Sequence, residues 1–244
     1  MKAVRAQKVY GLTATPTRKD GLHPIIFMQC GPIRFKNNSK KQAKIRTFNQ
    51  TLITRNTNVK LKETEIQSIY AALVSNQKRN DLIFNDVLLS LEEKRSPIVI
   101  TERLEHITEL EKRFKGFAKN IIVLSGAMKK KERQQALQTL IQIPDNEERL
   151  LIATGKYIGE GFDDARLDTL FLTMPISWKG TLQQYVGRLH RNHDNKQEVQ
   201  VYDYVDQHVP MLLKMYEKRV TGYKALGYKM KNNGEKRIEQ MELF

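Results

Sequence analysis

Short apolar runs alternate with amphipathic stretches along most of the chain. Lys8–Leu12, Ser96–Thr101, Asn120–Leu124, Arg149–Thr154, Thr169–Met174 and Glu198–Tyr204 are each rich in Val, Ile, Leu or aromatic residues and bounded by turn residues, which predicts strands. Between them the apolar positions take helical spacing. Leu104, Ile107, Leu110 and Phe114 fall on one face, and Ala136, Leu137, Leu140 and Ile141 do the same within Lys130–Gln142. Lys62–Glu93 predicts two helices broken near Ser75–Asn80, and Val209–Leu226 a last helix. Strands alternating with helices in this way predict an α/β fold, a mainly parallel sheet with helices on both faces.

One stretch breaks the pattern. Residues 36–61 are basic and Asn/Lys-rich with few large apolar side chains, as in Lys36-Asn37-Asn38-Ser39-Lys40-Lys41, and read as a linker or excursion. They divide a leading segment, 1–35, from a body at 62–228, and a polar tail at 229–244 is expected to fray.

Composition narrows the function. At 244 residues the chain can bury a proper core without disulfide or metal staples. Lys and Arg total 42 against 27 Asp and Glu, a net charge of +15, which is the footprint of a nucleic-acid partner. The single cysteine, Cys30, excludes an intrachain disulfide framework and leaves too few thiols for a zinc finger or ribbon. The start has no apolar signal core, and no apolar run approaches the roughly 18 residues that span a bilayer. The expected setting is cytoplasmic, nucleoid-associated if bacterial, with no membrane partner.

Three strings carry the candidate chemistry. Gly11-Leu12-Thr13-Ala14-Thr15-Pro16 runs from a strand end into hydroxyl residues, a pattern that an ordinary strand-to-turn connection also produces. Ala153-Thr154-Gly155-Lys156-Tyr157-Ile158-Gly159-Glu160-Gly161-Phe162-Asp163 ends a buried strand in hydroxyl and glycine residues followed by an acid. Ligands of open α/β sheets bind beyond the carboxyl ends of the strands, so a phosphate or ribose contact belongs there. Gln184-Tyr185-Val186-Gly187-Arg188-Leu189-His190-Arg191 places Arg188 and Arg191 three apart on a predicted helix, hence on one face. Two guanidiniums, permanently charged and forked, suit a polyphosphate. His190 and His193, with Asp194 beside them, have metal-like spacing, but no third strong ligand lies nearby in sequence and no metal site is expected.

In this order the three strings resemble the helicase superfamily 2 core: Gly11–Pro16 is similar to motif III, Thr154–Asp163 to motif V, and Gln184–Arg191 to the QxxGRxxR of motif VI. Ser96–Glu102 stands where such proteins carry motif IV, and Leu124-Ser125-Gly126 resembles their next nucleic-acid contact segment. Leu12–Pro16 followed by Arg18-Lys19-Asp20-Gly21, with the Glu160-Gly161-Phe162-Asp163 form of motif V, resembles the DNA-repair helicase and restriction-enzyme motor-subunit branch more than DEAD-box RNA helicases.

The resemblance implies RecA-like architecture and a division of labour. A complete motor pairs two RecA-like domains, the first supplying GxxxxGK(S/T) and an acidic box, and this sequence carries neither. Residues 1–35 would be the end of a first domain, with strands around Val9–Leu12 and Pro24–Met28, and 62–228 the whole second domain. ATP and Mg2+ would be held mainly by the missing domain, in cis or in trans, and the chain alone is expected to be inactive as an ATPase. By resemblance Arg188 and Arg191 would reach the γ-phosphate with Gln184 near it, beside Gly161 and Gly187, and Asp163 would contact either the ribose or the neighbouring arginines. Thr13, Ala14 and Thr15 would couple hydrolysis to domain movement. Thr101, Ser125, Gly126, Thr154 and Gly155 would hold the backbone of DNA, single-stranded or duplex, or of RNA, without reading bases. Lys129-Lys130-Lys131 either extend that track or form a solvated helix start, and Trp178 either stacks a base or packs on the last helix. The rival readings are a non-hydrolytic nucleic-acid-binding module or split subunit, and a restriction-type translocase that pumps duplex without unwinding it.

Overall fold

The computed structural model describes residues 8–13, 20–36, 47–159, 162–177, 179–194 and 196–231. The elements are α1 (His23–Cys30), β1 (Asn49–Asn56), α2 (Ile66–Ser75), α3 (Gln77–Glu92), β2 (Pro97–Thr101), α4 (Leu104–Phe114), β3 (Ile121–Leu124), α5 (Lys130–Gln142), β4 (Leu150–Thr154), α6 (Gly155–Gly159), β5 (Thr169–Leu172), α7 (Lys179–Leu189), β6 (Glu198–Val205), α8 (Pro210–Leu226) and β7 (Lys229–Lys231). The seven strands form one parallel sheet in the order β3-β4-β2-β5-β6-β1-β7. This is a RecA-like α/β fold.

The sequence explains which strands lie at the centre. Every residue of β2, β4 and β5 is buried, as continuous apolar runs in a sheet covered on both faces require. Successive side chains then feed two separate cores. Ile98, Ile100, Leu151, Ala153, Leu170 and Leu172 face the core shared with α7 and α8, where Leu182, Tyr185, Val186, Leu189 and Tyr223 pack. Val99, Leu150, Ile152 and Phe171 face the opposite core, closed by Ile83, Val87 and Leu91 of α3 and Ile107, Leu110 and Phe114 of α4. From β2 the chain passes through α4 to β3 on one side, and from β4 it passes back to β5 and β6 on the other. The direction of winding thus reverses around β2, the place where a ligand crevice opens in such sheets.

Four expectations change. The strand expected at Lys8–Leu12 has no regular structure, and the one expected around Pro24–Met28 is α1. Val9, Tyr10 and Leu12 are 42%, 80% and 99% exposed and none of the described strands pairs with them, while Pro24, in the first turn of α1, suits a helix start. The linker expected over 36–61 contains β1, which pairs along its length with β6, so the sheet begins upstream of residue 62. Its register rests on main-chain bonds and on Leu52 and Ile53, while Asn49, Gln50 and Thr51 conceal the strand from a reading by hydrophobicity. The tail expected from 229 opens with β7, an exposed edge strand on β1, and residues 232–244 lie outside the described ones.

Buried charge ties the helices to the sheet. Arg219 of α8 meets Asp203 of β6 with two bonds of 2.8 Å and donates to the Ile176 carbonyl at 2.9 Å, while the Tyr223 hydroxyl donates to Asp203 at 3.0 Å. Arg79 of α3 donates from Nε to Asp206 at 3.0 Å, where the Thr57 hydroxyl also donates at 2.6 Å. At the end of β2, His106 Nδ1 lies 3.0 Å from the Thr101 hydroxyl and its Nε2 lies 3.1 Å from Asn80 Oδ1. Asn80 Oδ1 can only accept, so Nε2 carries the proton and Nδ1 accepts from Thr101.

Burial, reinforced by the charges of Arg79 and Arg113, lowers the His106 pKa from 6.5 to about 3. Between those values the unfolded chain binds a proton that the folded chain refuses, so stability falls as pH falls through that window. Urea denaturation at pH 7 and pH 4.5 is expected to show a loss in the wild type that exceeds the loss in His106→Gln by about 1–3 kcal/mol, allowing for partial relaxation of the site. Equal losses in the two proteins would contradict the assignment of His106 as a buried neutral ring.

Candidate functional site

The carboxyl edge of the sheet gathers the ends of β2, β3 and β4 with the helix that follows β5. Tyr185, on the buried face of α7, sends its hydroxyl across this edge to Glu102 Oε1 at 2.6 Å. It passes directly over Gly155, where a Cβ would overlap the Tyr185 hydroxyl and the Glu102 carboxylate. Glycine is therefore required at this position for close approach, and the packing it permits joins the ends of β2 and β4 to α7. Burial and the adjacent Glu102 carboxylate push the Tyr185 pKa well up, so the phenol stays protonated and donates.

From this contact α7 carries the basic string to the sheet edge. Arg188 donates from Nε to the Ile158 carbonyl at 3.0 Å, and Arg191 donates from Nε to Asp163 Oδ1 at 2.9 Å. The helix ends at Leu189, so Arg191 stands beyond it and the two arginines do not share a helical face as their spacing suggested. They pair instead with two residues that follow β4, Ile158 and Asp163. Arg191 and Asp163 are both about half exposed, 56% and 51%, so the guanidinium is available to a second anion. Gln184 is half-buried on α7 and Gly187 is exposed.

Beside Asp163 opens a cavity of about 670 Å³ lined by Arg133, Leu137, Arg149, Tyr157 and Phe162, among others. Arg149 holds Asp164 at 2.8 Å, and Arg166 donates to four carbonyls between Ile143 and Glu147, which fixes the loop before β4 to the segment after Asp163.

The expected nucleic-acid contacts divide into two groups. Gly126 is exposed, its N–H donating to the Thr154 hydroxyl at 3.1 Å, and Lys129, Lys130 and Lys131 follow on the surface at the start of α5. Ser125 and Thr154 are mostly buried, at 7% and 8% exposure. Thr101 is fully buried and its hydroxyl is engaged by His106 and by the Arg103 N–H, so it offers no hydroxyl to a phosphate. Gly155 is buried beneath Tyr185. Thr13 is exposed, whereas Ala14, Thr15, Glu160, Gly161 and Trp178 lie outside the described residues.

His190 bonds the Tyr228 hydroxyl at 3.0 Å, and among the described residues no group of three or more His, Cys, Asp or Glu is placed to hold a metal ion. The sequence reading missed Glu102 and Tyr185 as a pair and missed Lys196, a buried lysine in the segment between α7 and β6. The pairing of Glu102 with Tyr185 spans 83 residues, and Lys196 sits in a polar run with no periodic signal.

The family described as "Helicase conserved C-terminal domain" matches residues 77–193. The chain is 36% identical over 96 residues to "Uncharacterized protein 108L" of Invertebrate iridescent virus 3, covering 39% of this chain and 88% of that protein. It is 27% identical over 239 residues to "Putative helicase 161L" of Invertebrate iridescent virus 6, covering 94% of this chain and 52% of that protein, so it spans about half the length of that relative. In structure it is similar to Saccharomyces cerevisiae Dbp5 bound to RNA and ADP BeF3, with a TM-score of 0.60 and 12% identity over 92% of this chain and 52% of that one. At that identity the likeness is one of fold.

The Gly155 contact generates a direct test. Gly155→Ala is expected to lower the free energy of unfolding by about 1–3 kcal/mol, the usual cost of overpacking, as measured by chemical denaturation. Adding Tyr185→Phe should recover part of the loss, because the phenol oxygen is the nearest of the three clashing atoms. A Gly155→Ala protein as stable as the wild type would contradict the packing described.

Proposed function

This chain belongs to the helicase family through a conserved C-terminal domain of the superfamily 2 type, and on that premise we propose that it is the second motor domain of an ATP-dependent DNA helicase or translocase. The observation that carries the reading is the half-exposed pair of Arg191 and Asp163, with Arg188 beside it, at the carboxyl edge of a parallel sheet. Asp163 orients Arg191 while leaving about half of its surface open. When a nucleotide is presented by a first RecA-like domain, in cis or in trans, Arg191 can take the γ-phosphate oxygens in place of Asp163, and Arg188 stands three residues before it. A guanidinium in that position stabilises charge that develops as the phosphoryl group transfers, an effect of about 10³–10⁵ in rate for an arginine finger.

The residues present fit the phosphate end of ATP but not Mg2+. Two guanidiniums suit an anion, whereas the described residues place no carboxylate cluster for a divalent ion. Mg2+ then belongs to the acidic box of the partner domain. Gly161, Gly187 and Gln184 complete the nucleotide side in this reading, and Thr13, Ala14 and Thr15 the coupling between domains.

Nucleic acid runs past Gly126 and along Lys129, Lys130 and Lys131. The three exposed ammoniums hold phosphates without reading bases. Ser125, Thr154 and Gly155 support the turn at Gly126 from beneath it, and Thr101 orders the end of β2. The Glu160-Gly161-Phe162-Asp163 wording of motif V favours DNA, and the RNA-bound Dbp5 structure keeps RNA as the alternative substrate.

In the protein that also carries a first RecA-like domain, Arg191→Ala is expected to cut ATP turnover by about 10²-fold or more with nucleic-acid affinity nearly unchanged. Unchanged turnover would remove the finger role. Replacing Lys129, Lys130 and Lys131 together by Ala is expected to reduce the slope of log K against log salt by up to about 2–3 units in fluorescence anisotropy. An unchanged slope would make them a solvated helix start.

A further inference from the structure

After α7 the chain turns back through a polar segment in which one cation is buried. Lys196 is 9% exposed, and its ammonium donates to the carbonyls of Ala165 at 2.7 Å, Arg191 at 2.8 Å and Leu189 at 3.0 Å. Three N–H groups meet three acceptors, which is the full donor complement of an ammonium. The Phe48 ring lies over the same nitrogen, 5.9 Å from its centroid. Leu189 is the last residue of α7 and Arg191 lies just past it, where helix carbonyls have no partner within the helix. Ala165 follows Asp163 by two residues. One buried nitrogen therefore joins the segment that carries Arg191 to the segment that carries Asp163. Their own ion pair is half exposed, and pairs of that kind hold little by themselves.

We propose that Lys196 is a positioning residue, whose buried ammonium locks the end of α7 onto the Asp163–Arg166 segment and so sets where Arg191 and Asp163 stand. The purpose of the lock rests on the motor reading given above, but the lock itself is a property of this chain.

The groups that face Lys196 are Asp164 and Asp168 on the segment after Asp163, and His190 and Arg191 at the end of α7, with Tyr228 bonded to His190 from beyond α8. Burial lowers the Lys196 pKa to about 8 against the opposing pull of Asp168 and Asp164. A neutral amine has two N–H donors for three carbonyls, so one of the three contacts must lapse as the proton leaves. An arginine at the same place keeps its charge throughout that range.

The test is an NMR titration of the 244-residue chain from pH 6.5 to 9.5, following the Lys196 side-chain carbon and nitrogen shifts together with the backbone amides. The expected result is an inflection of Lys196 near pH 8, with the amides of Asp163, Arg166, His190 and Arg191 moving at the same midpoint, and no such midpoint in Lys196→Arg. Stationary amides at Asp163 and Arg191 through the Lys196 transition would overturn the proposal. So would a Lys196 that titrates like a free lysine. A midpoint that persists in Lys196→Arg belongs to another group, His190 first among them, and overturns it equally. The wild-type titration is decisive even if a variant fails to fold. No nucleotide is involved, so the ATPase reading and this lock can fail independently.

Discussion

The seating of α7, which leads to Arg188 and Arg191, depends on one close contact, Tyr185 lying over Gly155 with its hydroxyl on Glu102. That contact fixes α7 against the ends of β2 and β4, and α7 carries Arg188 to Ile158 and delivers the chain to Arg191 and Asp163. A side chain of any size at residue 155 would push α7 away from the sheet edge. The glycine of the Ala153–Asp163 string is thus a packing requirement here, and its nearest neighbours are a phenol and a carboxylate of the protein itself.

The sheet supplies the surroundings in which this contact works. Its central strands are buried on both faces, which leaves only their ends for chemistry, and the carboxyl ends receive the polar residues that the apolar interior excludes. Buried ion pairs stand just behind that edge, Arg219 with Asp203 and Arg79 with Asp206. Removing one partner from such a pair leaves an uncompensated buried charge, a large penalty, so these pairs specify how α3 and α8 seat on the sheet. The exposed pair of Arg191 and Asp163 differs in kind. It is wet, weak and replaceable, as a residue that exchanges one anion for another has to be.

Most of the helices and the central strands were legible from hydrophobic pattern alone. Leu104–Phe114 and Lys130–Gln142 are helices over the residues that the pattern marks, and the break at Ser75–Asn80 is the junction of α2 and α3, where the Asn76 side chain accepts from the Arg79 N–H. The pattern failed where main-chain pairing, not side-chain burial, makes the strand. β1 holds its place by its ladder with β6 despite a polar first half, and β7 adds to β1 with all three residues exposed. Within the site, the strings around Thr154 and Arg188 were visible as motifs, yet helical spacing misplaced Arg191 because α7 stops at Leu189. The contacts of the Lys196 ammonium with three carbonyls around that helix end leave no trace in local periodicity.

We propose that Arg188 and Arg191 act on a nucleotide held by another domain. The most direct measurement is ATP turnover by this chain and by a first RecA-like domain, each alone and then mixed, with and without DNA. The account predicts turnover only in the mixture, increased by DNA. Turnover by this chain alone, or a mixture with no more activity than the sum of its parts, would contradict it.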